Sequence, residues 1–373
     1  MSCIGRGYPY PEETGAHKVR RCVKDFLLIG KNLSKVFVFI KNICYICGMN
    51  EEVHIDIVTQ SEQLPEMTCR SFFHSIELFE ILEKTRAQQP YMVIASQGGK
   101  VVAHLLATIR RRGSLIPPYL FSQGRIYGEG DYEEGIEKEV IFQLMLKELS
   151  KLFKRKLCLY IEFSDLGTKM FGYKIFRKEN YFPVQWMAVH NSLHSMPPEE
   201  RLNEKMKERI AHIHQQGVLF KEVEDKEELK EFYRMLRRFF SLKVRRYLPP
   251  ERFFFEVARN DHCKLFVTKH KEKVIGGCAC IYYNDNAYLW YLASRKRRYP
   301  LLHPGTATVW GAIKYAYEKK YRHIYFMDVG LPFKKSQYRD FILSFGGKEV
   351  STYRWFRFTV SCINSVIGWI YRE

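Results

Sequence analysis

Acidic residues are the scarce class in this chain. Over 373 residues, 41 Asp and Glu stand against 60 Lys and Arg, a formal charge of +19 with a pI near 9.4. The imbalance favours a polyanionic partner: RNA, an anionic membrane surface or a phosphorylated substrate. A basic soluble protein with a solvated cationic surface is the plainer alternative. GxSxG, HExxH and a Walker loop are all missing, so serine-hydrolase, zincin and P-loop chemistry have no motif to stand on. The ten cysteines lack a regular framework, and several sit in apolar strand-like runs such as "LCLYIEF" and "IGGCACIYY". Free buried thiols in a reducing compartment fit that pattern.

Metal chemistry is also poorly supplied. Cys44 and Cys47 form one CxxC pair, with no second pair at zinc-finger spacing. His212 and His214, two apart on a helix, point to different faces. No metal is expected. Long uncharged apolar runs are lacking: the greasiest segment, 26–48, carries Lys31, Lys35 and Lys41, which argues against a spanning helix. The first fifteen residues show no charged region leading into an apolar one, so no signal peptide is expected. Residues 1–48 differ in character from the rest and read as an N-terminal extension, dispensable or an amphipathic surface anchor.

What is present is material for a core, with 46% hydrophobic and 15% aromatic residues. "VHIDIV" alternates as a half-buried strand does, and "CRSFFHSIELFEILEKTRA" has helical spacing. "YMVIAS" and "VVAHLLATI" flank a glycine turn and read as a hairpin. "YLFSQGRIYGEGD" adds a strand. "EEGIEKEVIFQLMLKELSKLFKR" is a long helix with acids first and bases last, followed by the strand "LCLYIEF". The second half repeats this order: strand 217–225, helix 226–243, the helix opened by Pro249 and Pro250, a hairpin through "VIGGCACIYYND", the strand "AYLWYLAS", a helix that Thr306 can cap, and the strand "HIYFMDVG". The polar helix between the halves, 196–217, joins them.

The duplication predicts an α/β fold with mixed sheets. It resembles two tandem GNAT acyltransferase domains, and the pair resembles the Fem-type peptidoglycan-bridge aminoacyltransferases. The likeness is carried by "SFFHSIELFEILEKT", "KMKERIAHIHQQGVLFKEVED", "LKEFYRML" with "PPERFFFEV", and "YFMDVG" with "FILSFGG". Its expected boundaries are 1–48 extension, 49–200 first domain, 201–216 charged connecting helix and 217–373 second domain.

The resemblance implies acyl transfer to an amine, with acetyl-CoA or aminoacyl-tRNA as donor and no certain cofactor. It implies tRNA or a nucleotide-linked substrate as partner, and a lipid-linked wall precursor met at the membrane surface. A cytoplasmic or membrane-peripheral location follows. Two other readings stay open: a CoA-dependent N-acetyltransferase of a small-molecule or sugar amine, and a non-catalytic basic module binding RNA or another polyanion.

Departures from the family shift the expected site. The loop "RKRRYPLLHPGTA" before a helix keeps one glycine, Gly305, and two prolines, so a CoA-type amide cradle is impaired. Its cations Arg297 and Arg298 are the phosphate candidates. The first-half counterpart, "QGRIYGEGDYEEG", is glycine-rich but carries Glu129, Asp131, Glu133 and Glu134, which would repel phosphate and suit a cationic or peptide substrate. Where the family's bridging helix carries Arg then Tyr, this chain has Lys207 and Glu208, with Lys205 and Arg209 alongside. Where relatives place a lysine or tyrosine, it has Phe341 and Ile342. The working groups are therefore expected one turn earlier: Asp328, Lys334 and Tyr338 as catalytic residues, with Lys335 and Phe341 against substrate. Further cationic clusters lie at Arg110–Arg112, Lys151–Lys156, Arg237–Arg238 and Lys243–Arg246. The stretch "YRWFRFT" could stack a base, and Gly346 and Gly347 read as left-handed caps.

Overall fold

A computed structural model describes residues 52–373, apart from 116–117, 165–170, 242–246, 328 and 372–373. The N-terminal extension, the CxxC pair, the Lys243–Arg246 cluster and Asp328 lie outside the described residues.

One continuous mixed sheet organises the described residues, and the expected α/β architecture is what is found. The first half runs β1 (His54–Val58), α1 (Ile76–Glu83), β2 (Gln88–Gln97), β3 (Lys100–Leu115), β4 (Pro118–Tyr127), β5 (Asp131–Tyr132), α2 (Lys138–Arg155), β6 (Tyr160–Ser164), α3 (Tyr173–Lys178) and β7 (Phe182–Ser192). The second runs α4 (Glu204–Gln215), β8 (Leu219–Glu222), α5 (Lys226–Ser241), α6 (Glu251–Val257), β9 (Cys263–His270), β10 (Lys273–Tyr283), β11 (Asn286–Ser294), α7 (Pro304–Glu318), β12 (His323–Phe326), α8 (Gln337–Leu343), β13 (Lys348–Phe358) and α9 (Ser361–Ile370).

The order across the sheet is β1-β2-β3-β4-β6-β13-β7-β12-β11-β10-β9-β8, with β5 paired to β3. Among the described residues each half has one parallel pair, β4–β6 and β11–β12, and the other neighbours are antiparallel. The closing strands are exchanged. β13, from the end of the chain, lies beside β6, while β7 lies beside β12. The cores record the exchange. Trp355 of β13 is buried among α2 and α3, stacked on Phe176 at 4.7 Å, while Met187 and Val189 of β7 enter the core under α7 and α8. A third apolar cluster is shared: Phe73 stacks on Tyr127 at 5.0 Å and meets Tyr283, Tyr288 and Trp290 edge-on. Apolar burial stabilises at about 25 cal/mol per Å², so a core drawing on both halves ties them together.

Local expectations differ in four places. The first helical segment is a 3-10 turn (Phe72–His74) and then α1, because Ser75 Oγ accepts from Leu78 N–H and starts the helix there. The joining segment is likewise a 3-10 turn (Pro198–Arg201) and then α4, capped by Asn203, whose side chain accepts from Met206 N–H. α4 buries Met206 and Ile210 against the second half. Thr306 does not cap α7: the N-cap is His303, at a left-handed φ of 43°, and Thr306 is buried in the first turn. Of the two glycines, only Gly346 is left-handed, at φ 80°. Gly347 serves close approach, since a Cβ there would lie 2.5 Å from Asn191 Oδ1.

α9 was not anticipated. It is apolar, and Trp369 and Ile370 are 70% and 62% exposed. Among the described residues no helix is long and apolar enough to cross a membrane.

Candidate functional site at the head of α7

In a sheet of this kind, ligands gather where a parallel pair parts at its carboxyl end. The β11–β12 pairing stops at Leu289 opposite Phe326. β11 then continues to Ser294 paired to β10 on its other side, and α7 begins in the opening. A Cβ built on Gly305 would stand 3.3 Å from Ser294 Oγ and 3.7 Å from Phe341 Cζ. Strand end, helix head and the α8 ring therefore meet at one point.

The head of α7 is an anion-receptive end. Its ladder opens with Ala307 N–H donating to His303 O at 3.1 Å, so the N–H groups of Gly305 and Thr306 precede it. Pro304 has none. Cations converge on this end. Burial first, then the neighbouring Arg209, His212 and Lys296, push the His303 imidazole below its ordinary range. Arg297 and Arg298 are exposed in the same turn, which is closed by Arg298 N–H and Tyr299 N–H bonding Arg295 O. Two amides make a poor pyrophosphate cradle. The ring of side-chain cations compensates in charge, so the residues suit a phosphorylated donor held chiefly by ionic contacts.

The α8 side places the other expected residues. Ser336 Oγ accepts from Arg339 N–H and caps the helix. Arg339 Nη1 donates to Leu331 O at 2.9 Å, and Nε lies 3.2 Å from Glu349 Oε1. This clamp fastens the 331–335 loop to α8 and β13. Lys334 and Lys335 are exposed on that loop. Tyr338 is half-buried and, with Phe341, packs on the core under α7. Lys205 and Lys207 project to solvent from α4, and Lys207 pairs with Glu204 at 2.8 Å. The structure thus brings Phe341 to the head of α7, sets Arg209 among the cations there and keeps Arg297 and Arg298 on the adjoining turn. It does not bring Lys205 or Lys207 into that group.

Other sequence candidates are occupied. Arg110 is buried over Tyr127 and Tyr247, at 5.7 and 5.3 Å, and leaves the cationic surface. Arg354 of "YRWFRFT" lies 3.9 Å over Trp186 and bonds Glu162, and Trp355 is buried, so Trp355 and Arg354 are both engaged within the fold. Gly124, expected in a loop, is inside β4, where a Cβ would meet the Phe153 ring at 2.6 Å. Sequence reasoning missed His303 and Ser294; only their places beside "RKRR" and "HPGT" could have signalled them. Among the described residues no group of three or more His, Cys, Asp or Glu is placed to hold a metal.

Residues 201–335 match the family model described as an acetyltransferase (GNAT) domain. No curated protein matches the chain. Among solved structures it is similar to FemX, at 11% identity over 76% of this chain and 91% of that one, with a TM-score of 0.54. It is similar also to a tandem GNAT protein from the clavulanic acid biosynthesis pathway, at 9% identity over 82% and 99%, with a TM-score of 0.52. The chain therefore has a tandem GNAT-like fold, and its residues 201–335 match the acetyltransferase (GNAT) domain model.

Proposed function

We propose that the protein transfers an acyl group from a phosphorylated carrier to an amine, and that the carrier's phosphates rest at the head of α7. The meeting of the α7 head, the end of β11 and the Phe341 ring at Gly305, at the mouth of the parted β11–β12 pair and beside Arg209 and Lys296, carries this reading. The carrier supplies an activated carbonyl. The amine nitrogen attacks that carbon, a C–N bond forms, and the C–S bond of a thioester or the C–O bond of an ester breaks. The proton lost by the amine ends on the departing thiol or hydroxyl. Tyr338 is proposed as donor of that proton, Lys334 as a holder of the transferring group and Asp328 as a third catalytic residue.

The boundaries 49–200, 201–216 and 217–373 are kept as a proposal for the two units, with β7 and β13 exchanged between them. The narrower reading, an aminoacyl donor and a wall-precursor amine, rests on the Fem-like arrangement. A transfer assay decides between donors. Acetyl-CoA and charged tRNA are each offered with glucosamine, a lysine peptide and a wall-precursor nucleotide, and N-acylated product is followed. Lys334→Ala and Tyr338→Phe should each slow transfer roughly tenfold or more, about 1.4 kcal/mol in the barrier. Full activity in both variants and in Asp328→Asn would remove the site from this cleft.

A further inference from the structure

The first half holds a cavity of about 330 Å³ that the α7 site does not use. It is walled by Glu66, Thr68, Lys100, His104, Asp131 and Glu133, among others. His104 of β3 and Asp131 of β5 are directly paired across the ladder. The approach depends on Gly130, at φ 101°, where a Cβ would stand 2.6 Å from His104 O. Asp131 Oδ2 accepts from Arg70 N–H at 2.8 Å and Ser71 N–H at 2.9 Å, which fixes the carboxylate and leaves Oδ1 for a ligand.

His104 is 3% exposed, yet its Nε2 has no hydrogen-bond partner and lies 3.6 Å from Asp131 Oδ2. A buried polar atom left unpaired destabilises the fold, and a ligand's donor would relieve that cost. The bond between His104 and the backbone of His74 falls to Nδ1, so Nε2 carries the lone pair. Burial keeps the ring neutral, the Asp131 charge opposing this in part. The deep end of the cavity is then made of acceptors: an imidazole nitrogen and a carboxylate oxygen. Glu66 and Glu133 add negative charge at the rim, where Arg70 pairs Glu133 at 3.8 Å, and Lys100 also lines the cavity. In a chain of charge +19 this acidic pocket is an inversion.

We propose that this cavity binds the primary ammonium group of a small cationic ligand, an amino sugar, a lysine side chain or a polyamine end, through His104 Nε2 and Asp131. An ammonium offers three donors and no acceptor, the complement of these two groups. Ser71, beside the cavity, bonds Tyr283, which pairs with Asn286 at the start of β11, and Ser294 is eight residues beyond Asn286, about 25 Å along the strand. An amine held there cannot reach a carrier at α7, so the cavity recognises a ligand without serving the transfer step.

The test is saturation-transfer NMR on the full chain with glucosamine, L-lysine and spermidine, and with N-acetylglucosamine as the uncharged control. At least one amine should bind saturably, the control should not, and His104→Gln and Glu133→Gln should each weaken binding roughly tenfold with melting temperature unchanged. Should His104→Gln fold poorly, Glu66→Gln, at the exposed rim, takes its place. No saturable binding by any of the three amines, equal binding of the control, or affinity untouched by the folded variants would overturn the assignment.

Discussion

Arg354 Nη1, on the last strand, lies 2.9 Å from Glu162 Oε1, 192 residues earlier. Glu162 also takes an ion pair from Arg125 and a hydrogen bond from Gln123 Nε2 at 2.5 Å. One buried carboxylate therefore serves a buried guanidinium, Arg125, and a half-buried one, Arg354, and fastens the exchanged strand β13 into the first half. Removing a single partner of such a network leaves charge uncompensated, at about 3–5 kcal/mol. Glu162→Gln should lower stability by that order in urea unfolding. A change under about 0.5 kcal/mol would mean the network does not hold the exchange.

His74 gives the pH dependence. Burial, and then its neighbour His104, lowers its imidazole to about 3. The unfolded ring keeps the ordinary value near 6.5. Between these values the unfolded state binds the extra proton, so the stability is present above about 6.5 and lost as pH falls toward 3. At pH 5 the loss is about 2 kcal/mol. Chemical unfolding at pH 7 and pH 5 should show wild type losing about that much more than His74→Gln. Equal losses would contradict the burial assigned to this ring.

Gly346 marks where α8 turns into β13. It is left-handed, and an added Cβ would stand 2.4 Å from Arg201 Cβ and 2.6 Å from Arg201 O. Gly346→Ala should destabilise by about 2–4 kcal/mol through backbone strain and clash together. A thermal melt within a degree of wild type would show that the turn can move away from the 198–201 segment.

The surface cations at α7 predict the opposite behaviour. Arg297 and Arg298 are exposed, so their joint reversal to Glu should change stability by no more than about 0.5 kcal/mol. Donor affinity should fall roughly tenfold or more, and the wild-type affinity should weaken with added salt. A reversal that unfolds the protein would assign the pair a structural role.

The elements were legible because their signals are local. Alternation in "VHIDIV", the glycine turn at 97–100 and the long amphipathic run of α2 each state their structure within a few residues. The exchange of β7 and β13 was not legible. "KEVSTYRWF" announces a strand, but its neighbours are chosen by packing of Trp355 on Phe176 and by the Arg354–Glu162 bond, both long-range. The site was read in part. Charge runs pointed to the α7 turn, whereas the role of His303 depends on a left-handed backbone and on Arg209 arriving from another helix. The "FGG" motif proved to be a close-approach device, with Asn191 Nδ2 donating to Phe345 O at 2.8 Å.

The central claim is that the head of α7 receives the phosphates of an acyl donor. Calorimetric titration of the full chain with coenzyme A, and separately with charged tRNA, tests it most directly. At least one should bind saturably at low salt and lose roughly tenfold or more in affinity in the Arg297→Glu/Arg298→Glu variant. Binding of neither donor, or binding indifferent to that reversal, would contradict the account.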